Sequence, residues 1–208
     1  MEQRVIVSPT QAELKESDLA KTVSKVSKHN DYRLFGLDIF LIADGMTFAG
    51  FFAAYLTFRA VNPLPPGAVY ELEMPLPILN TVLLLLSSTT FHRANHWLQR
   101  GETARCRRLL MLTSLLGLVF LASQMTEYFS LPFGLTENIY ASTFYVVTGF
   151  HGLHVTLGVI MIMIVWWQAR AEDGRVARGD HFPVEAAELY WHFVDGIWVI
   201  LFVILYLV

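Results

Sequence analysis

Three ionisable side chains interrupt the last apolar stretch of the chain: Glu188, His192 and Asp195. They fall at i, i+4 and i+7, which is one face of a helix. Carboxylates and imidazoles on one face can pass protons or hold a metal ion. A second set lies in GFHGLHVTLG, where His151 and His154 share a face at i, i+3. A third is Asp44, between apolar runs. His92 and His96 form a fourth, four residues apart. His151 and His154, with the Glu, His and Asp face on another helix, contain enough ligands for one or two ions. Neither HExxH nor a paired ExxH pattern is present. The plainer reading is a set of buried groups that satisfy one another's hydrogen bonds.

These residues need helices to position them, and the composition says where the helices sit. The chain has 208 residues, 54% hydrophobic and 16% charged, with 15 Phe and 5 Trp. Its mean hydropathy is +0.46. Soluble domains carry about 25% charged residues, so the deficit points to a membrane protein. An ionisable face inside such a helix must look into protein or a water cavity, because lipid makes it costly. A single Cys106 cannot form an internal disulfide, and CxxC motifs are absent. The N-terminus lacks the apolar core of a signal peptide. No phosphate loop and no GxSxG appear, and nothing supports nucleic-acid binding.

The expected fold is all-α: a polytopic membrane protein of five transmembrane helices. A polar tail covers residues 1–31, as a short surface helix or a disordered segment. The membrane domain covers 32–208. Its apolar segments run about Leu34–Phe58, Pro75–Leu98, Leu109–Phe129, Tyr140–Gln168 and Val184–Val208. Each has roughly the ~20 residues needed to cross ~30 Å of hydrocarbon. NPLPPGAVYELEMPLP, LPFGLTEN and AEDGRVARGDHFP separate them. Basic residues set the orientation. Six Lys/Arg lie in the tail to Arg33, five from Arg93 at the end of the second segment to Arg108 before the third, and three between the fourth and fifth; only Arg59 lies opposite. By the positive-inside rule the N-terminus is cytoplasmic and the C-terminus outside.

Depth then groups the polar residues. Asp44 lies ten residues past Leu34, about 15 Å deep at about 1.5 Å per residue. His154 and Asp195 are also near mid-span, so depth alone leaves Asp44 and Asp195 open as partners of His154. His92 and His96 match the depth of Glu185 and Glu188. Asn80, Gln124 and Glu127 lie towards the outer face, where Glu127 reads as an interfacial charge. Gly45, Ala49 and Ala53 form a small-residue strip that allows another backbone close approach. Arg93, Trp97 and Arg170 lie at headgroup depth, as lipid contacts or as ordinary interfacial anchors.

The motifs ASTFYVVTGFHGLHVTLG and VEAAELYWHFVDGIWVILFVILY resemble subunit III of the haem-copper oxidases, specifically the cytochrome c oxidases. DGMTFAGFFAAY, PLPILNT and EYFSLPF extend the likeness over about residues 32–208. The wording around RLFGLDIFLIADGMTFAGFFAAYLTFRAVNP is similar to the short cyanobacterial members. The resemblance implies a five-helix form without the two extra N-terminal helices of mitochondrial members. It implies a non-catalytic subunit of a proton-pumping terminal oxidase. Haem and copper then belong to partner subunits I and II, and this chain holds no cofactor, no metal and no catalytic residue. It would stabilise the complex, bind phospholipid and support proton uptake by subunit I, meeting cytochrome c only through the complex.

The family's buried carboxylate maps onto Asp44, and its implied partner is His154. Asp is one methylene shorter than the Glu of many members, which leaves room for a direct contact or a bridging water. His151, Glu188, His192, Asp195 and His96 then read as an interhelical polar network. PLPILNT and YWHFVD fit the cytochrome c branch, whereas an Asp at 44 is similar to quinol oxidases. The implied location is a bacterial plasma membrane, or a thylakoid membrane for a cyanobacterial member. Competing readings are a quinol-oxidase subunit, a five-helix companion of nitric oxide reductases, a proton-coupled carrier and a di-metal membrane enzyme. Five helices give a carrier no even inverted repeat.

Overall fold

The computed structural model describes residues 32–61, 75–131, 133–171, 174–177 and 179–207. The polar tail, most of the proline-rich connection after the first helix, and Arg178 lie outside the described residues. Five α-helices follow in order: α1 (Tyr32–Val61), α2 (Pro75–Gln99), α3 (Thr103–Ser130), α4 (Ile139–Arg170) and α5 (Phe182–Phe202). A π-helical turn, Val203–Leu207, closes the described chain. Among the described residues there is no strand.

The chain divides into two units, residues 1–40 and 41–208. In the first, the described part is the opening of α1, Tyr32–Phe40, with Asp38 exposed. The second is a helical bundle.

Local chemistry sets the helix ends. Gly101 has φ +78°, a left-handed conformation that a Cβ disfavours. Its N–H donates to the Leu98 carbonyl at 2.8 Å, and the Glu102 N–H donates to Trp97 at 3.0 Å. This paired cap ends α2 and turns the chain straight into α3. Asn138 caps α4, its side chain accepting from the Ala141 N–H at 2.8 Å. Pro183 sits in the first turn of α5, where its missing N–H leaves no bond unmade.

The bundle closes on Trp191. Its side chain is fully buried. Its indole lies against Gly117 of α3 and Gly158 of α4: a Cβ on either glycine would come within 2.8 and 2.7 Å of the ring. Its N–H donates to Ser87 Oγ of α2 at 2.9 Å. One side chain thus touches all three neighbouring helices. Trp198, one helical stretch further on, donates to Thr81 Oγ1 of α2 at 3.0 Å.

From Leu41 onward, α1 is joined differently. Aromatic side chains carry its contacts: Phe48 and Phe51 each meet Phe150 of α4 at 5.1 Å between ring centroids, and Tyr55 meets Tyr140 at 5.8 Å. Ala49 and Ala53 of the small-residue strip are exposed.

Among the described residues, four helices are long and apolar enough to cross a membrane: α1, α3, α4, and α5 with its π-turn. The chain is an integral membrane protein. α2 is the exception, and it carries Asn80, Ser87 and Asn95. These three side chains are buried, while Ile78, Leu79, Val82, Leu85 and Leu86 are exposed. Its polar side faces protein and its apolar side faces outward.

Candidate functional site

α1 and α4 bring Asp44 and His154 together. His154 Nε2 lies 3.1 Å from Asp44 Oδ2, with both side chains largely buried. The approach is close in distance but off hydrogen-bond alignment, and Oδ2 has no other partner among the described residues. Asp195, the other sequence candidate, lies beside Ser88, with neither oxygen in an aligned hydrogen bond among the described residues. His154 is held from both sides. Its Nδ1 lies 2.8 Å from the Phe150 carbonyl, and the rings of Phe48 and Phe150 flank it at 5.1 and 4.6 Å.

A carbonyl oxygen only accepts, so Nδ1 carries a hydrogen. Nε2 then faces the Asp44 carboxyl oxygen inside an aromatic enclosure.

A second cluster joins α2 and α5. Glu188 Oε1 lies 2.9 Å from His92 Nδ1 and 3.5 Å from His192 Nε2. Asn95 Nδ2 donates to Glu188 Oε2. Ser88 Oγ bonds His192 Nδ1 on the far side of the ring. His96 is not in this cluster. It is exposed, beside the Trp97 ring at 6.3 Å, and Asn95 takes the inward position. Neighbouring residues on a helix point about 100° apart, so only one of the two can face α5. Ser88 and Asn95 carried no signal in the sequence, since Ser and Asn are common in any helix that packs on another.

His151 is fully buried between Phe120 and Trp198, at 5.8 and 5.2 Å between centroids. Neither of its nitrogens has a hydrogen-bond partner among the described residues. The structure thus separates it from the clusters that hold His154 and His192.

Glu127 corrects an expectation. It is buried rather than interfacial. Tyr206 donates to its Oε1 at 2.6 Å and Gln124 to its Oε2 at 3.2 Å. The π-turn carries Tyr206, so the end of α5 is tied to α3. Replacing Tyr206 by Phe leaves that oxygen buried without its donor, a loss of roughly 1–3 kcal/mol. The thermal midpoint of the purified assembly should fall; an unchanged midpoint would show that the tie carries no stability.

The lipid-contact candidates lie on the surface. Arg93 and Arg170 are exposed and Trp97 is half-buried. Arg105 sits over the Trp97 ring at 4.3 Å, and Arg170 lies 5.5 Å from the Trp166 ring. An apolar groove of about 290 Å³ runs along α4 from Val159 to Trp167, ending close to Arg170.

The family model for Cytochrome c oxidase subunit III matches residues 20–208. The chain belongs to the cytochrome c oxidase subunit III family. The match starts at residue 20, ahead of the point near 32 where the motifs begin. The chain is similar to "Cytochrome c oxidase subunit 3" of Synechocystis sp., 46% identical over 211 residues, covering 99% of this chain and 90% of the relative. It is 40% identical over 188 residues to the protein of the same description from Thermostichus vulcanus, covering 90% and 93%. The relative from Papio hamadryas is 40% identical over 179 residues, covering 83% of this chain and 68% of the relative. With family and relatives in agreement, the function is that of subunit III of a haem-copper oxidase. Such a subunit works in a complex with other oxidase subunits.

Proposed function

We propose that the chain is the non-catalytic third subunit of a proton-pumping oxidase that takes electrons from cytochrome c and reduces dioxygen on subunit I. The observation that carries this reading is the Asp44–His154 contact, a largely buried carboxyl and imidazole facing each other across two helices at 3.1 Å. In this reading it is a structural and proton-holding pair, and no residue of the chain is catalytic. Haem and copper reside in subunits I and II. Subunit I is the main partner, with subunit II second, and cytochrome c meets only the assembled complex.

All five helices cross the membrane in this proposal, within a membrane domain of residues 32–208. α2 has 25 residues, about 37 Å at about 1.5 Å per residue, and an apolar exposed side. The positive-inside rule puts the N-terminal tail in the cytoplasm and the C-terminus outside. The membrane is a bacterial plasma membrane, or a thylakoid membrane given the cyanobacterial relatives. Phospholipid lies in the α4 groove with its headgroup at Arg170, and Arg93 and Trp97 supply a second headgroup contact. The exposed small-residue strip of α1 faces subunit I.

A quinol donor is the second reading, favoured by an aspartate at position 44. A tagged chain purified from native membranes in mild detergent decides between them. A reduced-minus-oxidised spectrum with haem bands, and oxygen uptake driven by cytochrome c, are the expected results. Uptake driven by quinol alone transfers the assignment to the second reading. A haem-free chain without oxidase subunits would overturn both.

A further inference from the structure

The cluster of His92, Glu188 and His192 brings three metal-ligating side chains together. Two imidazoles converge on the same Oε1, from different helices, at 2.9 and 3.5 Å. One ligand atom from each of the three residues lies within 4.8 Å of the others. A tetrahedral ion with ligands at about 2.0–2.1 Å places them about 3.3 Å apart along each edge. The two separations from Glu188 bracket that value, and the two imidazole nitrogens lie within 4.8 Å of each other.

The surroundings orient the donors as ligands need. The Asn95 amide holds Glu188 through Oε2, leaving Oε1 aimed at the imidazoles. Ser88 meets His192 at Nδ1. When Nδ1–H donates to that hydroxyl, Nε2 carries a lone pair towards Glu188. A ligand imidazole anchored through its other nitrogen is the usual supporting arrangement at metal sites. The cluster is also reachable. The Glu188 side chain is 11% exposed, but those of His92 and His192 are 75% and 41% exposed. Arg93 and His96, exposed on the same turns, mark water or headgroups there.

We propose that His92, Glu188 and His192 form an exchangeable binding site for a divalent transition-metal ion of the zinc class. Two imidazole nitrogens and one carboxylate suit zinc, whereas calcium and magnesium favour all-oxygen sets. Water completes the coordination. Binding does not depend on the donor assigned to the oxidase.

The test uses the intact assembly purified with the tagged chain. It is dialysed to equilibrium against a series of free Zn²⁺ concentrations, and bound zinc is counted by elemental analysis. Wild type, His92→Ala, His192→Gln and His96→Ala are compared at equal subunit content. His92 is a surface side chain, so its removal leaves the fold intact. The expected result is one zinc per chain in wild type and His96→Ala that is weakened at least about tenfold in His92→Ala and His192→Gln. Equal zinc in wild type and His92→Ala overturns the assignment. So does a loss that His96→Ala shares, because the zinc would then follow the surface histidines in general.

Discussion

Trp191→Ala is expected to loosen the whole bundle and release the chain from its assembly during purification. The indole is fully buried and makes contact with three other helices at once. In soluble proteins, such a truncation costs about 3–5 kcal/mol. Lipid tails are as apolar as a protein interior, so little of the cost here is transfer from water. The lost packing and the cavity remain, and about 3 kcal/mol is the expected size. Trp191→Phe keeps most of the packing but loses the bond to Ser87, and should cost only about 1 kcal/mol. Gly158→Val approaches the same contact from the other side. A side chain on α4 would overlap the indole ring, and overpacking of this kind costs about 1–3 kcal/mol. Subunit retention and the thermal midpoint measure all three. If Trp191→Ala keeps the wild-type midpoint, the indole is not what joins the helices.

Asp44 gives the second large effect, of a different kind. Asp44→Ala should leave assembly intact and shorten the time for which the oxidase sustains turnover. The variant strands His154 Nε2 in a pocket walled by Phe48 and Phe150. An unsatisfied buried nitrogen costs roughly 1–3 kcal/mol, and the cost falls on the contact between α1 and α4. Asp44→Asn separates the two roles of the carboxyl. Its amide can still donate to Nε2, but it cannot take up or release a proton. Lasting turnover in the Asn variant and not in the Ala variant identifies a packing role. Early inactivation in both identifies a proton-holding one. Wild-type lifetime and subunit retention in Asp44→Ala would remove the pair from any account of function.

The helices were legible because length and apolarity are local properties. α3 nonetheless starts at Thr103, six residues before its apolar part. Arg105, Arg107 and Arg108 leave the hydrocarbon without leaving the helix, so apolarity marks a membrane boundary and not a helical one. The π-turn at Val203–Leu207 had no sequence signal, since neither Gly nor Pro interrupts it. Partners across helices were legible only in part. Spacing along a helix gives a shared face, as with Glu188 and His192, but not what the face meets. Depth left Asp44 and Asp195 equal, and the packing of α1 on α4 put Asp44 against His154. His96 and Asn95 differ by one residue in sequence and by a third of a turn in direction, which polarity alone could not resolve. Glu127 read as interfacial because its bond to Tyr206 joins positions far apart in the chain.

The contact between Asp44 and His154 joins residues 110 apart in the sequence. At about 5–20 residues per second, a ribosome needs roughly 5–20 s to travel that distance. For that interval the nascent first helix carries a carboxyl whose imidazole has not been made. Until α4 arrives, the insertion machinery or a bound proton must shelter it from the hydrocarbon, so α1 depends on a helix made later for its final environment.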